Sequence, residues 1–286
     1  MIYLLPYHHA TKKPSQVEKV DPVKWLEQFY EKPFCYITPS GKDAISVLLK
    51  SLDLKLSDEI FVTTTFGYPN VSSCVTSTIF NYCKPSRIIT SATRAIFAIH
   101  EFGVPHADLL NLRNKADELS IPLIEDLAHT LNSFSDSYRV GENADYIICS
   151  FPKIFPVLYG GALIGQKVAY DPSELDRSKI RDTADFLGYS LPMLEKYSDS
   201  RRVVFQKLTR AFSRIGLSPV FELNDSITPW FFPVQMQNWQ KCIAEAQNYG
   251  IECGLWHGTN IVVFPCHQFL SDKHIEKVAN FASLFV

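Results

Sequence analysis

Three short stretches of this 286-residue chain bring together residue types that can hold a ligand or react with one. The first is Pro39-Ser40-Gly41-Lys42-Asp43, where a β-rich run gives way to helix signals. Free backbone N–H groups at a helix start, a serine hydroxyl and a glycine that permits close approach can cradle a phosphate. The same residues also serve as an ordinary helix cap. The second is Glu125-Asp126, at the end of an apolar strand. A carboxylate there is costly unless paired; a protonated pyridine nitrogen is one partner, and a structural ion pair or N-cap is the plainer use. The third is Ser150-Phe151-Pro152-Lys153, followed by Gly160-Gly161. A lysine held on a tight turn after a buried strand can form a stable imine with an aldehyde, although most lysines are solvated surface charges. Phosphate, ring nitrogen and aldehyde occur together in pyridoxal phosphate.

The elements that must position these groups can be read from periodicity. Strands are expected at 34–38, 59–64, 94–99, 121–125, 145–150 and 161–165, with helices from Ser40, over about 69–80 and over 108–119. Ile45, Leu48, Leu49 and Leu52 fall on one helix face, as do Leu109, Leu112, Ala116 and Leu119. Strands alternating with helices predict an α/β fold whose mostly parallel sheet carries helices on both faces. Ligands of such sheets bind beyond the carboxyl ends of the strands, where Ser40-Gly41, Asp126 and the Ser150–Lys153 turn all fall. Residues 170–190 are polar and yield no assignment. Beyond them a helix over 199–215, a strand over 228–234, a helix ending near Gly250, a strand over 261–264 and a last helix opening at Ser271 read as a small α+β unit. The expected division is 1–192 for the large domain and 193–286 for the small one.

Phosphate turn, then aspartate, then lysine, each at a strand end, is the order used by fold-type-I pyridoxal phosphate enzymes. The stretches SGKDAISVLLKSL, DEIFVTTTF, TRAIFAIHEFGVPHADL, IEDLAHTL, YRVGENADYIICSFPK and FPCHQFLSDKHIEKV resemble more closely the DegT family of sugar aminotransferases, well over about 30–165 and loosely over 228–286. The resemblance implies a Schiff base on Lys153 and Asp126 against the pyridine nitrogen. It also implies a phosphate held by Ser40, Gly41, Lys42 and Ser150, Phe66 stacked on the ring, and His129 near the ring hydroxyl or the substrate. His129 has a second reading as a capping or core histidine, and His100, in the family's H-x-Y-G element, reads as structural. The implied activity is transfer of an amino group, commonly from glutamate, to a nucleotide-linked keto sugar, in a homodimer. Two departures stand out. Ser150 and Lys153 are three apart where the family has five, and the segment that reaches the neighbouring subunit is absent. The polar stretch with Arg177 and Lys179 stands in its place. A non-catalytic scaffold, or another pyridoxal phosphate reaction such as dehydration, are the alternatives.

Composition narrows the classes further. A formal net charge of −2 leaves no basic surplus for nucleic acid or an anionic membrane. The opening residues MIYLLPYHHATKK hold only a short apolar run without a basic start, so neither a secretory leader nor a spanning helix is expected. Seven cysteines, odd in number and without a C-x-x-C pair, read as reduced thiols of a cytoplasmic protein. His8, His9 and His257 belong to no recognised metal pattern, so no metal is expected. The basic run Arg201, Arg202, Lys207, Arg210 and Arg214 reads as the solvated face of a helix.

Overall fold

The computed structural model describes residues 1–9, 17–135, 138–169 and 174–286. Part of the opening segment (10–16) and the start of the polar stretch (170–173) lie outside the described residues. The first part of the chain runs α1 (Pro22–Tyr30), β1 (Phe34–Thr38), α2 (Gly41–Ser51), β2 (Glu59–Thr64), α3 (Ser73–Phe80), β3 (Lys84–Ser86) and β4 (Thr93–Ile99). It continues through α4 (Leu109–Leu119), β5 (Leu123–Asp126), β6 (Tyr146–Ser150) and β7 (Gly161–Gly165). These strands form one seven-stranded sheet in the order β1-β7-β6-β5-β4-β2-β3. Only β7 runs against its neighbours, pairing antiparallel with both β1 and β6. Such reversal is what a short return from the Lys153 turn allows, since parallel pairing would need a long crossover.

Alternate side chains of each strand enter different cores, as a sheet covered on both faces requires. Phe97, Ile148 and Leu163 pack with Ala44, Ile45, Leu48 and Leu49 of α2. From the opposite face Ile96 and Ala98 meet Leu109, Leu112 and Ala116 of α4, while Ile147, Cys149 and Ile164 meet Leu26 and Tyr30 of α1. The expected α/β architecture is therefore present.

Two helices went unassigned in sequence. The first is α1, which Asp21 caps by accepting from Val23 and Lys24 N–H. The second is α5 (Arg177–Ser190), inside the stretch that gave no assignment; Asp176 accepts from Ser178 and Lys179 N–H, and Thr183 and Leu187 are buried. Its many charges mask a face of three apolar or small residues, Ile180 also packing on the core. The next helix, α6 (Leu194–Ser213), starts five residues before the expected 199 and follows a 3₁₀ turn at Leu191–Met193.

A second sheet, order β8-β10-β9, is antiparallel and consists of β8 (Phe231–Gln235), β9 (Gly254–Leu255) and β10 (Ile261–Pro265), with α7 (Trp239–Glu245) between β8 and β9. The strand expected from 228 begins at Phe231 because Trp230 N–H donates to Phe102 O, 2.9 Å, in the first part of the chain. Helix α8 (Asp272–Ala282) opens at Ser271 through a capping box and packs with α6 on this sheet. The two cores meet along α6: Leu194 and Tyr197 belong to the first, and Val204, Phe205, Leu208, Ala211 and Phe212 to the second. Ile2 also joins the second core, bridging to Ile251. No helix among the described residues is long and apolar enough to cross a membrane.

Candidate active site

Six of the strands run the same way, and the carboxyl ends of five of them open on one cavity of about 230 Å³. After β1 come Ser40, Gly41 and Lys42; β2 ends in Thr64; β4 leads to Glu101; β5 to Asp126 and His129; β6 to Ser150 and Lys153. The structure thus brings together seven of the eight residues expected to form the site.

Ser40 caps α2, its hydroxyl accepting from Asp43 N–H (3.2 Å) and donating to Asp43 Oδ2 (2.7 Å). Its hydroxyl is committed to the cap, which leaves the first-turn N–H groups of Gly41 and Lys42 as anion donors. The turn is pressed tightly against the sheet. A Cβ on Gly161 would lie 2.5 Å from Ser40 C, and one on Gly41 would lie 3.2 Å from Ser150 Cβ. Position 161 admits no side chain.

Asp126 is buried, and its Oδ1 accepts from Ala128 N–H at 2.9 Å. Burial raises its carboxyl pKa above the ordinary range, opposed by the Lys153 charge and by that N–H. Burial lowers the Lys153 ammonium below its usual value, with Asp126 pulling the other way. The lysine is therefore more readily a free amine than a surface lysine is. Its Nζ lies 4.8 Å from the ring centroid of Trp230. His129 stacks on Trp230 (3.7 Å between centroids) and meets Trp256 edge-on at 5.5 Å. Burial, and after it the Lys153 charge, hold its imidazole neutral, and its buried Nδ1 has no hydrogen-bond partner among the described residues.

Phe66 lies elsewhere. Its ring packs against Tyr68 (5.7 Å) and Phe102 (5.8 Å), away from the cavity lining. The cause is local: Phe66 N–H donates to Glu101 Oε2 at 3.0 Å, which fixes the chain as it leaves β2. His100, expected to be structural, is fully buried, with Nε2 2.9 Å from Glu125 Oε2 and Nδ1 accepting from His106 N–H.

Several lining groups escaped the sequence reading. Glu101 is 1% exposed, and its Oε1 accepts from Trp256 Nε1–H at 3.1 Å. Burial raises its pKa above the usual carboxyl value, and the Phe66 and Trp256 donors act against that. Its position just past a strand end was the available signal. Trp256, which lines the cavity, and Trp230, which lies under the Lys153 amine, flank strands of the second sheet, and nothing near them in sequence marks them as site residues. Arg201 also corrects an expectation: assigned to a solvated face, it is 1% exposed.

The residues present fit pyridoxal phosphate. A helix N-terminus offers donors at one end, a buried carboxylate and a lysine face the same space, and the unpartnered His129 Nδ1 is free for a polar ligand atom. The model of the DegT/DnrJ/EryC1/StrS aminotransferase family matches residues 23–167. The chain belongs to that family. A curated relative, the erythromycin biosynthesis sensory transduction protein EryC1 of Saccharopolyspora erythraea, is 28% identical over 167 residues, 53% of this chain and 44% of that one. The chain thus aligns with less than half the length of that relative. Among solved structures, the aminotransferase TlmJ of Streptoalloteichus hindustanus superposes with a TM-score of 0.74 at 18% identity, covering 94% of this chain and 92% of its own. Spr1654 of Streptococcus pneumoniae in its PLP form superposes with a TM-score of 0.74 at 15% identity, covering 95% and 93%. At such identities the superpositions establish the fold: this DegT-family chain has the fold-type-I architecture, with pyridoxal phosphate as the family's cofactor.

Proposed function

We propose that the protein is a pyridoxal-phosphate-dependent aminotransferase that moves an amino group, with glutamate as donor, onto a nucleotide-linked keto sugar. The observation that carries the reading is the meeting of Lys153 and Asp126 in one buried cavity beside the α2 N-terminus. When bound, the cofactor supplies an electron sink for the bond broken at the amino carbon. Asp126, buried and facing Lys153, is placed to hold a proton on a ring nitrogen. Lys153, its basicity reduced by burial, is suited to take a proton from a carbon acid and return it. His129, neutral and with Nδ1 free, donates or accepts at a polar group of the bound ligand. Trp230, under the lysine amine, and Trp256, in the cavity wall, shield the lysine side from water.

The reading includes a homodimer in the cytosol. Support for the compartment is limited to chemistry: the cysteines are free, five of them buried. Support for the dimer is the family membership. The test is direct. One portion of the purified protein, loaded with pyridoxal phosphate, is reduced with borohydride and mapped by peptide, while a second, unreduced portion is offered keto-sugar nucleotides with glutamate under mass-spectrometric readout. A phosphopyridoxyl group on Lys153 together with an aminated sugar is expected. A label on Lys42 would sink the site assignment, and a label on Lys153 without any amination would favour another pyridoxal phosphate reaction. Failure to take up the cofactor at all would favour a binding scaffold.

A further inference from the structure

Helix α6 sends a cation into the interior, and among the described residues no acid meets it. Arg201 is 1% exposed, and none of its hydrogen-bond partners is a carboxylate. Its Nη2 donates to Lys153 O (3.0 Å) and Ile154 O (3.2 Å). Its Nη1 donates to Pro229 O and Trp230 O, both at 3.3 Å, and to Cys266 O at 3.4 Å. Its Nε donates to Gln268 Oε1 at 2.9 Å, and Gln268 Nε2 in turn donates to Ile154 O at 3.0 Å.

A buried guanidinium is expensive, and an apolar side chain of similar volume fills space at lower cost. What the guanidinium adds is a rigid planar fork of donors. Here that fork ties three separate segments: the turn after β6, the approach to β8 and the exit from β10. Two of the carbonyls belong to residues whose side chains meet. Lys153 and Trp230 share one arginine behind their backbones while the lysine amine lies over the indole in front. His129 rests on the same indole.

We propose that Arg201 is a positioning residue: through the carbonyls of Lys153, Ile154 and Trp230 it sets where the reactive lysine stands against the aromatic wall. The proposal rests on the aminotransferase reading for the role of Lys153 and adds a residue that touches neither cofactor nor substrate. With the fork removed, the Lys153 turn and Trp230 part, water reaches the amine, and the lysine returns toward ordinary lysine basicity.

The test compares wild type with Arg201→Lys, which keeps the charge and loses the fork, and with Gln268→Leu, which leaves Arg201 and removes its brace. Three readouts are taken on the apoprotein: thermal melting, the rate of pyridoxal phosphate capture followed by absorbance, and the pH midpoint of that rate. For Arg201→Lys, capture should slow by about ten- to a hundredfold, as expected for a displaced reacting group, and its midpoint should move to higher pH. Gln268→Leu should shift both in the same direction by less. A folded Arg201→Lys protein with wild-type capture and midpoint would overturn the proposal and leave Arg201 as internal glue. Should Arg201→Lys fail to fold, Gln268→Leu decides, and an unchanged midpoint there overturns it. Failure of the wild type to capture the cofactor is a separate result: it removes the aminotransferase reading itself, and this proposal with it.

Discussion

On one side of the cavity the groups sit at strand ends of the seven-stranded sheet: Ser40, Gly41 and Lys42 beyond β1, Asp126 at the end of β5, Ser150 and Lys153 at and after β6. On the other side stand Trp230 and Trp256, held by the second sheet and fastened to Glu101 and Phe102 of the first. The strand-end side is fixed by sheet hydrogen bonding, by the α2 cap and by the absence of any side chain at Gly161. The aromatic side depends on a few contacts between distant segments. The first side should therefore govern whether chemistry happens at all, and the second how well a substrate is placed.

The largest effect should follow loss of the amine. Lys153→Ala should lower turnover by at least about 10³-fold, the scale of a missing acid–base group, and abolish borohydride labelling while the fold persists. The same site carries a pH signature. Because burial lowers the Lys153 pKa below the usual 10.5, the unfolded chain holds a proton that the folded apoprotein has released over the range between the two values. Stability from this group therefore grows as pH rises through that alkaline range. A melting series at alkaline pH should lose that slope in Lys153→Met; an identical slope in the two proteins would show that the folded lysine keeps its ordinary basicity.

Next comes Asp126→Asn, which should keep the cofactor bound and lose about 10²-fold or more in turnover, since a neutral amide cannot favour the protonated ring. Unchanged single-turnover rates would reduce Asp126 to a structural group. On the aromatic side, Glu101→Gln weakens the hold on Trp256 and should leave cofactor affinity alone while raising KM by about tenfold, the worth of one hydrogen bond to a charged group. A fall in cofactor affinity instead would place Glu101 on the cofactor side. Smallest of all, Phe66→Leu should leave the cofactor's absorbance spectrum unchanged and cost about 1 kcal/mol of stability by repacking. A shifted spectrum would return Phe66 to the ring.

What sequence reveals follows the same division. Asp126 and Lys153 could be placed beside the cavity because each lies at or just past the end of a strand that its own neighbours define. Glu101 obeys the same rule, yet the H-E-F-G context drew attention to His100. Phe66, expected on the ring, packs beside Phe102 and Phe221 from remote segments, contacts that its own neighbours in sequence do not mark. Trp230 and Trp256 carry no local mark: an indole lining a cavity and one filling a core have the same periodicity. Arg201 reversed its expected side for a related reason. Its neighbours Arg202, Lys207, Arg210 and Arg214 suggested a charged face, but the acceptors that make its burial tolerable come from three remote segments. The helix α5 was hidden by its charges, although Asp176 and the Ile180, Thr183 and Leu187 spacing were visible.

Among the described residues β1 pairs with β7 alone, and this has a consequence for how the protein is made. A ribosome delivers β1 early and its sole partner late, after five other strands of the same sheet have emerged. Until Gly161 arrives, the first strand has no neighbour, and the Ser40–Lys42 turn lacks the backbone that presses it into place. Strands β2 to β6 can assemble as they leave the ribosome, with an open margin where β7 will enter. The nascent chain should thus pass through a long interval in which its Ser40–Lys42 turn is already synthesised and not yet pressed against the sheet. Cofactor capture would be a late event of biosynthesis, timed by the insertion of one antiparallel strand.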